Sequence, residues 1–367
     1  MVTQSTLSIP ILQKPLDRVP HQRLLQKMKT LGIVGNTLNW VKSFLSGRRQ
    51  RVKVENEFSA WAAVKSGIPQ GSVLGPTLFV LFINDMPDIC LSTCQLFADD
   101  AKVFRSVCQT DDEEKLQNDL NNLCQWSSIW QLPFNVGKYK TLHIGRNNKH
   151  HVYKMNGNKL EQVKEQKDLG VLIDDGLKFH KQTAAAIKKA NSVLGAIKRS
   201  FAKHNNTTLP LLFTSLVRPH LEYGNVVWGP HYKGDMKAIE RVQRRMTKLV
   251  PGLSDKIYEE RLRHLRLPSL AYRRSRGDMI YTYKIITGKM DINKENFFKT
   301  SNLRTRGHKL KICKQSAKKL HRVNTFSNRI VNEWNMLPSK VVQAESVNSF
   351  KNQLDKHWIG RMYETPF

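Results

Sequence analysis

Cysteine, acidic residues and long apolar runs are all scarce in this sequence. Its 367 residues include five cysteines, and so few thiols predict a reducing intracellular compartment without a disulfide framework. The longest apolar run, residues 78–83, is far too short to span a bilayer. The opening MVTQSTLSIP lacks the basic and apolar segments of a secretory signal. We therefore expect neither a secreted nor a membrane-spanning protein.

Basic residues outnumber acidic ones two to one. The chain has 60 Lys and Arg against 30 Asp and Glu, a formal charge of +30. Residues 1–150 contribute +6 of this charge and residues 151–367 contribute +24. Such an excess predicts a polyanionic partner, either nucleic acid or an anionic membrane surface. The basic residues are spread along the chain without a strongly apolar amphipathic anchor, which favours nucleic acid.

The periodicity of apolar residues indicates an α+β fold. Strand and helix patterns alternate up to about residue 180, and the pattern from Lys181 onward is mostly helical and basic. Thr110–Glu113 has the form of a capping box that would open a helix. The other elements predicted in the first half are helices over 21–31, 36–45 and 77–85, strands over 51–54, 61–64, 140–145, 152–155 and 169–173, and a hairpin over 95–105.

The predicted helix over residues 234–250 has an apolar stripe and a basic face. Arg241, Arg244, Arg245 and Lys248 recur on that face at three- and four-residue spacing. Like charges at this spacing repel each other unless an anion lies across them, and a phosphate backbone is such an anion. A solvated helix face is the alternative.

Two adjacent aspartates, Asp99 and Asp100, occupy the bend of the hairpin predicted over 95–105. Their mutual repulsion costs stability, and their apolar neighbours would hold the bend on a packed ribbon. Carboxylate oxygens are the ligands that Mg²⁺ prefers, and paired ions stabilise the attacking and leaving oxygens of phosphoryl transfer. An ordinary surface turn is the alternative for the pair considered alone.

The segment SGIPQGSVLGP, residues 66–76, precedes this hairpin. Its glycines allow another backbone or a nucleotide to approach closely. It leads directly into a predicted helix, whose N-terminus favours phosphate. A Gly/Pro loop alone is weak support for function, but the loop and the FADD hairpin in this order, with a helix between them, are much more specific.

In these motifs the sequence resembles the reverse transcriptases of non-LTR (LINE-like) retrotransposons, of the jockey and chicken-repeat type. The resemblance runs from about Lys14 to the C-terminus. It implies an RNA-directed DNA polymerase that uses Mg²⁺, or Mn²⁺ in its place, at the catalytic and metal-binding residues Asp99 and Asp100. Gln70 and Gly71 would lie against the templating base and primer. Lys138, in FNVGK, would lie near the incoming nucleotide.

The resemblance also implies a domain organisation and partners. Residues 1–180 would form an incomplete palm of the right-hand polymerase fold, with the fingers missing. Residues 181–250 would form a helical thumb, and residues 251–367 a basic helical region of unassigned role. Leu169–Ile173 is similar to the family's primer-grip region. The partners implied are an RNA template with its DNA primer, or an RNA–DNA hybrid.

The sequence departs from the family at the first palm strand. The family carries an aspartate six residues before the position of Asp17, where this sequence has Ile11, and an aliphatic side chain cannot bind a metal. Pro10 argues against a central strand over residues 7–12, so we expect an exposed sheet edge beside the acidic hairpin. The chain is therefore expected to be inactive as a polymerase. The alternatives are a non-catalytic nucleic-acid-binding remnant and a decayed fragment without function.

Overall fold

The computed structural model describes residues 4–9, 15–145, 148–201, 205–301, 307–317 and 320–365. The chain divides into two compact units, each made of two segments of the chain. The first comprises Met1–Gln166 and Asp174–Leu177, and the second comprises Lys167–Ile173 and Lys178–Phe367. Sheet is concentrated in the first unit and helix in the second, which confirms the expected α+β class. The palm and thumb boundaries stay predictions.

A five-stranded sheet forms the centre of the first unit. Its order is β5-β4-β1-β3-β2, with every neighbouring pair antiparallel except the parallel pair β4 and β5. The strands are β1 (Gln4–Ile9), β2 (Thr93–Phe97), β3 (Asp100–Val107), β4 (Lys140–Ile144) and β5 (Glu161–Val163).

The central position of β1 overturns the expectation drawn from Pro10. Ser8 pairs with Val103 of β3 on one side and with Thr141 of β4 on the other. The edge of β3 is therefore covered rather than exposed. The prediction failed because β1 ends at Ile9, so none of its ladder hydrogen bonds depends on the N–H that proline lacks. Pro10 and Ile11 lie outside the described residues.

Four helices supply most of the remaining core of the first unit. Leu24 and Met28 are buried, whereas Leu31, the last residue of the predicted helix, follows its observed end and is half exposed. The second helix begins at Gly35, one residue before its predicted start, and the helix predicted from residue 77 begins at Leu74. The four helices are His21–Thr30, Gly35–Leu45, Leu74–Ile83 and Asp112–Trp130.

The capping box predicted at residues 110–113 is wrong. The residue before the helix, Asp111, makes no capping bond through its side chain. Asp112 instead turns back to the end of β3, where its carboxylate accepts the backbone N–H groups of Cys108 and Gln109, both at 2.9 Å. Arg105 of β3 donates to the same carboxylate at 2.9 Å. A tertiary contact with the strand has replaced the local cap.

A buried cation joins three of these helices. Lys27 is only 6% exposed, and its ammonium donates to the Phe82 carbonyl at 2.6 Å and pairs with Asp85. The rings of Phe82, Trp126 and Trp130 lie 3.9 to 4.9 Å from it. Burial lowers the pKa of Lys27, and Asp85 opposes that change. This arrangement packs Trp126 and the partly buried Trp130 against the core.

Short two-stranded pairs complete the sheet structure. Asn156 and Gly157 form a hairpin turn, with φ values of 48° and 77°. The strand predicted from Leu169 begins at Val171, because Leu169 and Gly170 have positive φ and form a turn. The pairs are Arg49–Gln50 with Ala62–Ala63, Lys53–Val54 with Glu57–Phe58, Lys154–Met155 with Asn158–Lys159, and Glu165–Asp168 with Val171–Asp174.

Helices dominate the second unit and enclose two clusters of buried apolar side chains. Within the described residues, none of the helices combines the length and hydrophobicity required to cross a bilayer. The main helices of this unit are His180–Ser200, Thr208–Leu212, Arg218–Glu222, Asn225–Trp228, Lys233–Lys248, Tyr258–His264, Leu270–Ile286, Leu320–Val323, Phe326–Arg329, Val331–Asn335, Ser339–Val342 and Val347–His357.

Candidate functional site

The predicted acidic hairpin is present, formed by β2 and β3. Phe97 pairs with Asp100, so Ala98 and Asp99 form a two-residue turn. Ala98 has a φ of 50°, which lies in the left-handed region that non-glycine residues rarely adopt. Asp99 and Asp100 are both exposed at this tip. The structure thus places the two carboxylates side by side at one end of the sheet.

Packing behind the hairpin fixes the position of its tip. Three residues on one face of β3 are buried, namely Ala101, Val103 and Val107. The end of β3 away from the tip is fastened by Asp112, whose pKa is lowered to about 2 by the two backbone N–H donors and by Arg105. Since β1 is antiparallel to β3, its C-terminal end at Ile9 lies toward the end of β3 that begins with Asp100.

The acidic hairpin fits only part of a magnesium site. Its two aspartates offer the carboxylate oxygens that Mg²⁺ prefers. In the part of the chain that the structure describes, no group of three or more His, Cys, Asp or Glu side chains is placed to hold a metal ion. Two adjacent carboxylates leave most of an octahedral coordination shell to water. The described residues therefore do not make a complete two-metal centre.

The Gly/Pro loop, residues 66–76, is held on the turn formed by Pro15–Arg18. Ile68 N–H donates to the Leu16 carbonyl at 2.7 Å, and Gly67 N–H donates to the Val19 carbonyl at 2.9 Å. Gly67 has a φ of 91°, and a Cβ there would lie 2.6 Å from the Asp17 carbonyl oxygen. Only glycine allows the two segments to approach this closely.

Gln70 lies on the exposed side of this loop. Its side-chain amide donates to the carboxylate of Asp17 at 2.8 Å, a contact that the spacing of the motif does not predict. Gly71 has a φ of 78° and open space where a Cβ would lie. The loop therefore presents Gln70 and Gly71 to solvent just before the helix that begins at Leu74.

Lys138 projects from a short 3-10 helix, Val136–Lys138. The buried side chains of Phe134 and Tyr139, in edge-to-face contact at 5.8 Å, anchor this segment to the core. Lys138 itself is exposed. Among the described residues, no hydrogen bond joins Lys138 to Asp99 or to Gln70. The three side chains belong to three different elements, the 3-10 helix, the acidic hairpin and the Gly/Pro loop.

The basic helix predicted over 234–250 spans Lys233–Lys248. Ile239, Val242 and Met246 are fully buried beneath it, which confirms the apolar stripe. The four cationic residues of the opposite face are exposed, and we call them the cationic helix face. Within the described ranges none of them pairs with a carboxylate. They are Arg241, Arg244, Arg245 and Lys248.

Contacts with neutral groups support two members of this face. The Arg244 guanidinium lies 4.7 Å from the centre of the Tyr258 ring. Arg245 donates to the side-chain carbonyl of Asn191 at 3.4 Å. Glu240, the acidic residue next to Arg241, is buried and accepts a hydrogen bond from Tyr258. The positive charge of the face is therefore left available for an external anion.

These motifs agree with a match to a known family. Residues 12–197 match the family model for reverse transcriptase (RNA-dependent DNA polymerase). This span covers half of the chain and includes the Gly/Pro loop, the acidic hairpin and Lys138. The chain therefore belongs to the reverse transcriptase family, whose members generally use divalent metal ions.

Individual relatives identify the branch of the family. The chain is 30% identical over 254 residues to the probable RNA-directed DNA polymerase from transposon X-element of Drosophila melanogaster. It is 28% identical over 257 residues to the RNA-directed DNA polymerase from mobile element jockey of Drosophila funebris. Each match covers 66% of this chain and 28% of the relative. The predicted non-LTR, LINE-like type is confirmed, and the chain spans less than a third of these relatives.

A solved structure of telomerase from Candida albicans, in complex with a fragment of telomeric RNA, is also similar. The TM-score is 0.32 and the identity 11%, over 71% of this chain and 46% of the telomerase chain. A TM-score at this level is too low to support a conclusion about function.

Proposed function

We propose that this chain is a nucleic-acid-binding reverse transcriptase domain that holds an RNA template with its DNA primer, or the RNA–DNA hybrid, and does not extend the primer as it stands. In this proposal residues 1–180 act as palm and residues 181–250 as thumb. Gln70 and Gly71 contact the template and primer, Lys138 lies near the incoming nucleotide, and Asp99 and Asp100 hold Mg²⁺.

The cationic helix face carries the binding part of the proposal. Its four charged residues lie on a helix whose opposite side is buried. The helix itself therefore sets the spacing between the charges. Mutual repulsion at three- and four-residue spacing is unfavourable until an anion neutralises it. Phosphates spaced along a nucleic-acid strand meet this requirement. Each phosphate that a protein cation contacts releases its bound counterions, which favours binding.

The proposed lack of primer extension is based on the incomplete set of carboxylates. Two-metal transfer needs ligands that hold both ions close together against the attacking and leaving oxygens. The acidic hairpin offers Asp99 and Asp100. The aspartate that the family carries on its first palm strand is replaced by Ile11 in this sequence. Without that group, we expect the stabilisation of the transition state to be lost in large part.

The binding proposal predicts a steep dependence of affinity on salt. Replacing the four cations of the helix face by glutamine should reduce the slope of log affinity against log salt by roughly three, since each phosphate contact on a single strand contributes about 0.7. Fluorescence anisotropy with a labelled RNA–DNA hybrid and with single-stranded RNA, over a salt series, measures this slope.

A matched control removes the same total charge from elsewhere in the second unit. Four exposed lysines replaced by glutamine should leave the slope closer to that of the parent chain. If both variants lose the same slope, binding follows net charge alone and the assignment to the helix face is wrong. The control positions are Lys289, Lys299, Lys340 and Lys356.

Primer extension tests the catalytic part separately. The unmodified chain with Mg²⁺ and an annealed RNA template and DNA primer should give no extension, and Ile11→Asp should allow extension to be detected. The same replacement combined with Asp99→Ala should abolish it. Extension by the unmodified chain that disappears on Asp99→Ala would contradict the proposed inactivity without affecting the binding proposal.

A further inference from the structure

We propose that the exposed β-ribbon formed by residues 49–63 is a second binding surface, specific for single-stranded nucleic acid. We call it the aromatic ribbon. It consists of two short antiparallel ladders in which Arg49 pairs with Ala63 and Lys53 pairs with Phe58. It lies apart in sequence from both the acidic hairpin and the cationic helix face, so this proposal adds to the proposed function and can fail separately from it.

The aromatic ribbon has no buried side. All eight of its strand residues are exposed. Val52 is 64% exposed, Val54 66% and Trp61 55%. An isolated two-stranded ribbon is only marginally stable in water, and its exposed apolar side chains offer a surface that a partner can cover. A partner that covers the ribbon would account for both features.

A stack of cationic and aromatic groups forms the centre of the ribbon. The Arg51 guanidinium lies 3.9 Å from the centre of the Phe58 ring and 4.6 Å from that of Trp61. The ammonium group of Lys53 lies 5.3 Å from the Phe58 ring centre. Phe58 is 49% exposed and Trp61 55%, so both residues remain accessible to a partner.

The charge of the ribbon identifies the chemistry of that partner. The ribbon itself contains three basic residues against the two acidic residues Glu55 and Glu57, and two more basic residues flank it at positions 48 and 65. In the part of the chain that the structure describes, none of the five forms an ion pair with a carboxylate. Their charge is therefore available to an anionic ligand. The five are Arg48, Arg49, Arg51, Lys53 and Lys65.

Single-stranded nucleic acid matches both properties at once. Unpaired bases expose faces that stack on aromatic rings, and their phosphates meet the surrounding cations. Bases within a duplex are already stacked on each other and offer only their edges in the grooves. Since the ribbon offers partly exposed rings beside cations without carboxylate partners, we infer that it takes unpaired RNA or DNA in preference to a duplex.

Removing one ring tests the stacking contact. Trp61→Ala should weaken binding of a labelled oligouridine or oligothymidine on the order of tenfold, whereas Trp61→Phe should retain most of the affinity. Trp40→Ala is the matched control, because Trp40 is a similarly exposed tryptophan, 57%, of the same unit and lies on a helix outside the ribbon. Equal affinity of Trp61→Ala and the parent chain would overturn the proposal.

The salt series separates this surface from the cationic helix face. Trp61→Ala should lower affinity at every salt concentration with little change of slope, because stacking releases no counterions. Neutralising the helix face should change the slope instead. Arg51→Lys keeps the charge but loses the planar stack, so its affinity should fall while its slope is retained.

Two further outcomes would overturn the assignment. If Trp61→Ala weakens binding of a hairpin duplex as much as binding of the single strands, the ribbon recognises a groove. If Trp61→Ala leaves single-strand affinity unchanged but alters the molar mass measured by light scattering, the ribbon is a protein interface. The thermal unfolding of Trp61→Ala and Trp61→Phe should match that of the parent chain, which shows that each variant has folded.

Discussion

The acidic hairpin and the aromatic ribbon, both in the first unit, have similar turns but differ in the packing behind them. The acidic hairpin turns at Ala98-Asp99 and the aromatic ribbon at Glu55-Asn56, each through a two-residue loop whose first residue has a positive φ, 50° and 52°. The acidic hairpin belongs to a five-stranded sheet with buried side chains behind it. The aromatic ribbon has short ladders, a cation–aromatic stack and strand residues that are all exposed.

This difference matches the functions that we propose for the two hairpins. Carboxylates that hold a metal ion must be positioned accurately, which requires rigid supporting elements. Binding of single strands without sequence preference needs exposed rings and charge, and tolerates variation in geometry. The comparison therefore predicts that substitutions in the acidic hairpin will change stability, whereas substitutions in the ribbon will change affinity.

The largest expected effect comes from replacing one valine in each hairpin by alanine. Val103→Ala should lower the free energy of unfolding by about 2–3 kcal/mol, because Val103 is fully buried between β1 and β2. Val54→Ala in the ribbon should change it by less than about 0.5 kcal/mol, because Val54 is 66% exposed. Urea unfolding of both variants measures the difference, and equal losses would show that the ribbon is packed in solution.

Asp112 gives a test of intermediate size, with a defined pH dependence. Its pKa is about 2 in the folded chain against the ordinary 3.8, so the ionised carboxylate stabilises the fold above pH 4 by about 2 kcal/mol. That contribution is lost as pH falls from about 4 to 2, since the unfolded chain takes up the proton first. Asp112→Asn should therefore be destabilising at neutral pH, and its difference from the parent chain should shrink in acid.

Asp111 is the matched control for Asp112. It is the neighbouring aspartate, and its side chain is about half exposed and pairs with Lys115 one helical turn away. An exposed pair of this kind contributes less than about 0.5 kcal/mol. Asp111→Asn should accordingly cost much less stability at neutral pH than Asp112→Asn, measured by urea unfolding. If it reproduces the effect of Asp112→Asn, the support of the acidic hairpin has been assigned to the wrong residue.

The smallest test addresses the two turns. Replacement by glycine relieves the strain of a positive φ but adds freedom to the unfolded chain, so Ala98→Gly and Glu55→Gly should each change the free energy of unfolding by less than about 1 kcal/mol. Because this balance is local, the two changes should be similar despite the different supports. Thermal unfolding compares them, and a clear difference would show that the sheet strains the turn at Ala98.

Local patterns predicted the features that depend on neighbouring residues. The stripe beneath the cationic helix face follows from helical spacing, and the FADD turn follows from the apolar residues around it. β1 was missed because its sequence, QSTLSI, lacks the apolar alternation that indicates a strand. The contact made by Asp112 was missed because its donors, Arg105 on β3 and Cys108 and Gln109 just after β3, lie outside the helix. The same holds for the contact between Gln70 and Asp17, which come from segments far apart in the chain.

The sequence alone determined the family, the excess of positive charge and the order of the motifs, because each is carried by residue type and spacing. Only the tertiary structure decided which groups stand together. It placed β1 between β3 and β4, brought Asp99 and Asp100 to the tip of one hairpin, and left the strand residues of the aromatic ribbon exposed. These outcomes depend on pairing between distant segments, where the gain from packing must exceed the entropy of closing a long loop, and short-range periodicity contains no record of that balance.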